Sequence, residues 1–193
     1  QPISRLRFHP RRAHELVTAG DDGLICALDV RRCGGQTEED DAGLRIVVNN
    51  EEEGVRLLTF LGEGADLLAA TSTTEVLRLW CLHSQRPGAP CGQFAKLRTD
   101  AALRVGESDG YIVDVLYDEV SGRAEVLAGG VDGRLALLHL NLEGATLSAS
   151  LEGSHTEVVR TVASLDAARL FATGGEDGLI NVWRRPQGSN ADS

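Results

Sequence analysis

Residues 171–183 read FATGGEDGLINVW, and three glycines around two acids suit one of two kinds of chemistry. A glycine-rich loop between a strand and a helix cradles a phosphate when the helix N-terminus is aimed at the anion. A glycine-rich turn between two strands instead supplies the positive φ of a tight hairpin. The residues that follow decide between them. In LINVWRRP, Ile180 and Val182 favour a strand and Pro186 ends it. A hairpin is therefore predicted, with Asp177 bonding local backbone amides.

Other chemistry finds little support. His9, His14, His83, His139 and His155 form no HxxxH or HExxH pair, and Cys26, Cys33, Cys81 and Cys91 form no CxxC pair. No metal site and no cofactor are expected. GxSxG is absent, and ESDG (107–110) reads as a polar turn with no catalytic partner. His155 and Asp177 could pair, but an enzyme also needs a nucleophile or convergent acids. No catalytic residue is assigned.

Composition narrows the class. The net charge is −10, with acidic runs EEDD (38–41) and EEE (51–53) between apolar segments. These read as solvated loops, and no basic patch suggests nucleic acid. No apolar run approaches a membrane span, and QPISRLRFHP lacks the apolar core of a signal peptide. Four unpaired cysteines fit a reducing compartment, so the cytoplasm or nucleus is expected.

The hairpin recurs. VTAGDDGLICALDV (17–30) and LAGGVDGRLALLHL (127–140) resemble it, and LAATSTTEVLRLWCL (68–82) is a weaker copy. Their turns align Asp22, Asp132 and Asp177, with Thr74 in the weak copy. Their anchors align Leu28, Trp80, Leu138 and Trp183, spaced 52, 58 and 45 residues apart. Insertions at 31–43 and 83–92 account for the longer spacings. Short strands and glycine-rich turns at such intervals predict radial antiparallel sheets. The repeats run over about 1–49, 50–98, 103–151 and 152–186, followed by a polar tail, 187–193.

At SHTEVVRTVASLDAARLFATGGEDGLINVW (154–183) the chain resembles a WD repeat. The resemblance implies an all-β WD-repeat β-propeller with four visible blades, part of a seven-bladed ring. It implies a structural hydrogen-bond set of His155, Thr173, Asp177 and Trp183. Ser154 and Arg184 depart from the family's Gly-His and Trp-Asp pairs. The other repeats are degenerate: Leu28 and Leu138 replace Trp, and Thr74 replaces the turn Asp. The resemblance also implies a non-catalytic scaffold or adaptor whose partners are other proteins. The partner-binding top face would comprise Ser4, Asp21, Val131, Val158, Arg160 and Glu176. The alternatives are a structural subunit buried in a large assembly and, less favoured, a propeller enzyme. The chain begins without Met and ends without a fourth strand in its last repeat, so the remaining blades are expected from the same full-length chain.

Overall fold

The computed structural model describes residues 2–33, 42–82, 91–94, 104–105, 108–141, 144–153, 155–165 and 168–185. The tail 187–193, Ser154, Glu107 and most of both predicted insertions lie outside them. Among the described residues the secondary structure is antiparallel strand, with no α-helix.

The chain divides into two compact units, Gln1–Ala95 and Lys96–Ser193. In the first, β1 (Ile3–Phe8), β2 (Glu15–Gly20), β3 (Leu24–Asp29) and β4 (Leu44–Asn49) form one sheet in chain order. A second sheet holds β5 (Val55–Leu61), β6 (Leu67–Ser72), β7 (Leu77–Cys81) and β8 (Gly92–Phe94). In the second unit, β9 (Arg104–Val105) and β10 (Ser108–Asp109) form a short ladder. A four-stranded sheet follows, of β11 (Tyr111–Asp118), β12 (Arg123–Gly129), β13 (Leu135–Asn141) and β14 (Gly144–Leu151). A three-stranded sheet of β15 (Val159–Leu165), β16 (Leu170–Gly175) and β17 (Ile180–Arg184) ends the described chain.

Strand alternation sets the packing, since successive side chains point to opposite faces. In the first unit Val17, Ala19, Ile25 and Val48 share one face of their sheet and pack on Leu58, Leu68, Ala70 and Trp80 of the next. In the second unit Leu127, Leu135 and Leu137 pack on Val159, Phe171 and Trp183. Side chains near each inner-strand start tie the sheets together. Ser4 Oγ donates to Val55 O at 2.7 Å. Tyr111 Oη donates to Val159 O and accepts from Val159 N, both at 2.8 Å.

The turn between the second and third strands is built alike in all four sheets. It is a three-residue hairpin whose last residue is left-handed. Gly23, Gly133 and Gly178 have φ of 77°, 83° and 76°, and Glu75 takes the same place at 67°. Each donates its N–H three residues back at 3.2 Å: to Gly20, Gly130, Gly175 and Ser72. Gly133 has a second constraint. A β-carbon there would collide with the backbone of His155 and Thr156, whereas one at Gly178 would meet nothing within 4 Å. Gly178→Ala should therefore cost only the left-handed penalty, about 1–2 kcal/mol. Gly133→Ala should cost clearly more, because the next sheet's loop must also move. Urea unfolding of both variants checks this, and equal losses would refute the close approach.

Candidate functional site

The predicted set comes together in the last sheet. Residues 176–178 bring Asp177 back beside the loop before β15, which carries His155, and β16 carries Thr173 across from β17. Trp183 Nε1 donates to Thr173 Oγ1 at 2.8 Å. Thr173 Oγ1 lies 2.8 Å from His155 Nε2, and His155 Nδ1 lies 2.9 Å from Asp177 Oδ2. The carboxylate only accepts, so Nδ1 carries the proton toward it. With a neutral imidazole the chain then runs indole N–H to hydroxyl, hydroxyl to Nε2, and Nδ1–H to carboxylate. Asp177 also accepts from Thr156 N and Leu179 N, each at 3.0 Å. His155 and Thr173 are buried, and Trp183 stacks on Phe171 with ring centroids 6.4 Å apart.

This network acts on Asp177. Burial alone would push its carboxyl up, but the Leu179 and Thr156 amides and His155 outweigh that and hold it below the usual carboxylate range. A depressed carboxylate stabilises the fold above its unfolded pKa of about 4, and that contribution is lost as pH falls through the lower folded value. Acid unfolding monitored by tryptophan fluorescence should therefore show stability falling below about pH 4. Asp177→Asn should flatten that part of the profile, and an unchanged slope would refute the assignment.

The same register in the other sheets shows what replaces the set. Thr18 stands where Thr173 does, opposite Cys26, and Leu28 stands at the Trp183 position. Leu28 is half-buried, and Leu138 in the third sheet is fully buried. Asp22 and Asp132 keep the turn contact, accepting from Leu24 N at 3.0 Å and Arg134 N at 3.2 Å. The second sheet differs most. Trp80 is buried, yet its Nε1 has no partner among the described residues, because Ala70 occupies the Thr173 register. At the position of His155 stands Glu51, ion-paired to the buried Arg78. Arg78 also holds Glu53 at 2.9 Å, and Thr74 Oγ1 donates to Glu53 at 3.0 Å. A charged cluster thus takes the place of the His–Asp pair. Thr173→Val should cost about 1–3 kcal/mol by stranding the buried His155 ring nitrogen and the half-buried Trp183 indole. Ala70→Thr should raise the denaturation midpoint by giving the Trp80 indole an acceptor; a lower midpoint would mean that the site has no room for the hydroxyl.

The candidate top-face residues fall at the turns and inner-strand starts. Asp21, Val131 and Glu176 are placed at their turn tips, with Asp21 and Val131 exposed and the Glu176 side chain 46% exposed. Arg160 is exposed and pairs with Glu176 at 2.6 Å. Val158 is half-buried, and its carbonyl accepts from Glu176 N at 2.8 Å. Ser4 is already committed within the fold, its hydroxyl lying between Ala19 O and Val55 O.

Sequence reasoning passed over the buried ions. Arg185 pairs with Glu125 at 2.6 Å, both nearly inaccessible; burial pushes the Glu125 carboxyl up against the pull of Arg185. The one available signal was that Glu15 and Glu125 hold the same place relative to their turn aspartates. Among the described residues no group of acids, histidines and cysteines is arranged to hold a metal. No helix there is long and apolar enough to cross a membrane.

Comparison with known proteins places this geometry. Residues 145–184 match the family model for the WD domain, G-beta repeat. The match opens in β14 and closes with β17, so one repeat supplies the outer strand of one sheet and three strands of the next. The chain is similar to the WD repeat-containing protein 89 homolog of Dictyostelium discoideum, 28% identical over 95% of this chain and 49% of that protein. It is similar to the WD repeat-containing protein GTS1 of Arabidopsis thaliana, 27% identical over 94% of this chain and 47% of that protein. The chain therefore spans about half the length of the curated relatives it matches. Among solved structures it resembles a chain of the mitotic checkpoint complex, with a TM-score of 0.68 and 16% identity over 97% of this chain and 51% of that one. It also resembles the Myceliophteria thermophila Cps50 (Swd1) β-propeller domain, with a TM-score of 0.69 and 17% identity over 100% of this chain and 55% of that one. The chain is an all-β protein of the β-propeller fold that carries a WD repeat at residues 145–184.

Proposed function

We infer that this chain is a platform for binding other proteins and performs no catalysis. One observation carries the reading. The polar groups best suited to chemistry, His155 and Asp177, spend their hydrogen-bonding capacity on Thr173, Thr156 and Leu179 inside the fold. Side chains that do face solvent at the turn ends include Asp21, Val131, Arg160 and Glu176. These are varied in charge and size, and they stand on rigid hairpins, so a partner would meet a preformed surface at little ordering cost. Val131, 63% exposed, supplies an apolar contact, and the Arg160–Glu176 pair supplies a guanidinium able to exchange partners. The WD-repeat match and the propeller fold support interaction as the general role, and the chain spans about half the length of the curated relatives it matches.

The test is affinity capture with the chain carrying Arg160→Glu and Glu176→Lys together. The double reversal keeps an ion pair available, so folding should be preserved. Proteins retained by the unaltered chain should be lost or reduced at least tenfold, as judged by quantitative mass spectrometry. An unchanged retained set would remove this surface from consideration.

A further inference from the structure

Arginines in this acidic chain commonly touch a carboxylate, as Arg12, Arg45, Arg56, Arg78, Arg160 and Arg185 do. Arg5 and Arg7 on β1 are an exception. Both are exposed, and each spends one donor on a backbone carbonyl: Arg5 Nη1 on Ser4 O at 2.7 Å and Arg7 Nε on Leu58 O at 3.3 Å. A guanidinium carries five N–H donors, so most of each fork is unspent. Among the described residues neither arginine has a carboxylate partner. Register fixes where they stand. Arg5 lies opposite Ala19 and Arg7 opposite Val17, so both share the face that packs toward the second sheet. Residues two apart on a strand are about 7 Å apart, and β1 is the edge strand of its sheet. The result is two guanidinium forks in line along an edge. The second unit shows that the fold does not require them. The first and third sheets match in register, with Leu16 opposite Leu28 and Val126 opposite Leu138. Arg5 then takes the place of Tyr111, and Arg7 that of Asp114. Tyr111 ties its sheet to the next through Val159, and Asp114 accepts from Val115 N at 2.8 Å. In the first unit the tie between sheets is made by Ser4 instead, which leaves Arg5 without that duty.

We propose that Arg5 and Arg7 receive an extended segment of another protein that carries Asp or Glu at alternate positions. In an extended strand, residues two apart point to the same side at the same spacing of about 7 Å. Two carboxylates of such a segment therefore meet the two guanidinium groups in step, whereas adjacent acids point to opposite sides and only one can engage. The planar fork suits a carboxylate in bidentate fashion. Exposed ion pairs add little energy each, so this contact selects the partner and sets its register, and a short segment alone binds weakly. A long polyanion such as nucleic acid is disfavoured by the net charge of −10. The proposal rests on the reading of this chain as an interaction platform but uses residues separate from Arg160 and Glu176.

The probes are acetyl-Thr-Glu-Thr-Glu-Thr-amide and acetyl-Thr-Glu-Glu-Thr-Thr-amide, equal in composition and charge, titrated into the full ¹⁵N-labelled chain with amide shifts as the readout. The alternating peptide should give saturable shifts at Arg5, Arg7 and Leu58, at least threefold tighter than the adjacent one. Arg5→Gln and Arg7→Gln should each fold normally, weaken the alternating peptide at least threefold and bring it level with the other. Arg32→Gln removes another exposed arginine and should change neither affinity. Absent or non-saturable shifts, equal affinity of the unaltered chain for both peptides, or a preference retained in Arg5→Gln would overturn the proposal. So would tighter binding of a thymidine oligonucleotide than of the alternating peptide. If Arg7→Gln fails to fold, Arg5→Gln alone decides. Loss of proteins on the Arg160/Glu176 reversal with no peptide binding would leave the interaction reading standing and the Arg5–Arg7 site alone refuted.

Discussion

Each four-stranded or three-stranded sheet in this chain carries an apolar face that cannot be buried within the sheet itself. That constraint governs the rest. A lone sheet of three or four short strands buries too little to offset the ordering of its backbone, so each must lie against a neighbour. Alternation then assigns the side chains. Val17, Ile25 and Val48 meet Leu58, Leu68 and Trp80, and Leu127, Leu135 and Leu137 meet Phe171 and Trp183. In both units the tryptophan joins the apolar cluster shared with the preceding sheet, Trp80 buried and Trp183 partly buried.

Close packing brings backbone against backbone at the turns, and the polar groups there must be paired. The fourth sheet uses His155, Asp177, Thr173 and Trp183, a chain in which each donor has an acceptor. The second sheet reaches the same end with Arg78 between Glu51 and Glu53. The two solutions differ in character. The first is a short-range network of mostly neutral groups, and the second buries a full charge that persists only while its carboxylates stay paired. What both keep is the left-handed turn residue, Gly178 in one and Glu75 in the other. Degeneracy at the side-chain level is therefore tolerated wherever the backbone geometry survives.

This arrangement has a functional consequence. Among the described residues His155 and Asp177 are engaged in holding a loop to a strand, while Asp21, Val131, Arg160 and Glu176 stand outward at the turns and strand starts. Rigidity favours recognition, because little conformational freedom is lost when a partner docks.

How much of this is legible in the sequence depends on the range of the interactions. The hairpins at Asp22, Asp132 and Asp177 are legible because a tight turn and its flanking strands are local, set by glycine, by an acid two residues before a strand amide, and by the apolar residues that follow. The set of His155, Thr173, Asp177 and Trp183 is legible through its motif, which preserves the spacing that the fold brings together. The Glu51–Arg78–Glu53 cluster is not, since EEE reads as a solvated run until the turn at Thr74 carries Arg78 beneath it. Nor is the ion pair of Glu125 with Arg185, 60 residues apart in sequence, or the commitment of Ser4 to Val55. Those contacts join different sheets, and nothing local in the chain specifies which face of one sheet will meet which face of the next. Sequence determined the strands, the turns and the repeat; only the packing of sheet on sheet decided which charges are buried, which hydroxyls are spent and where space is left.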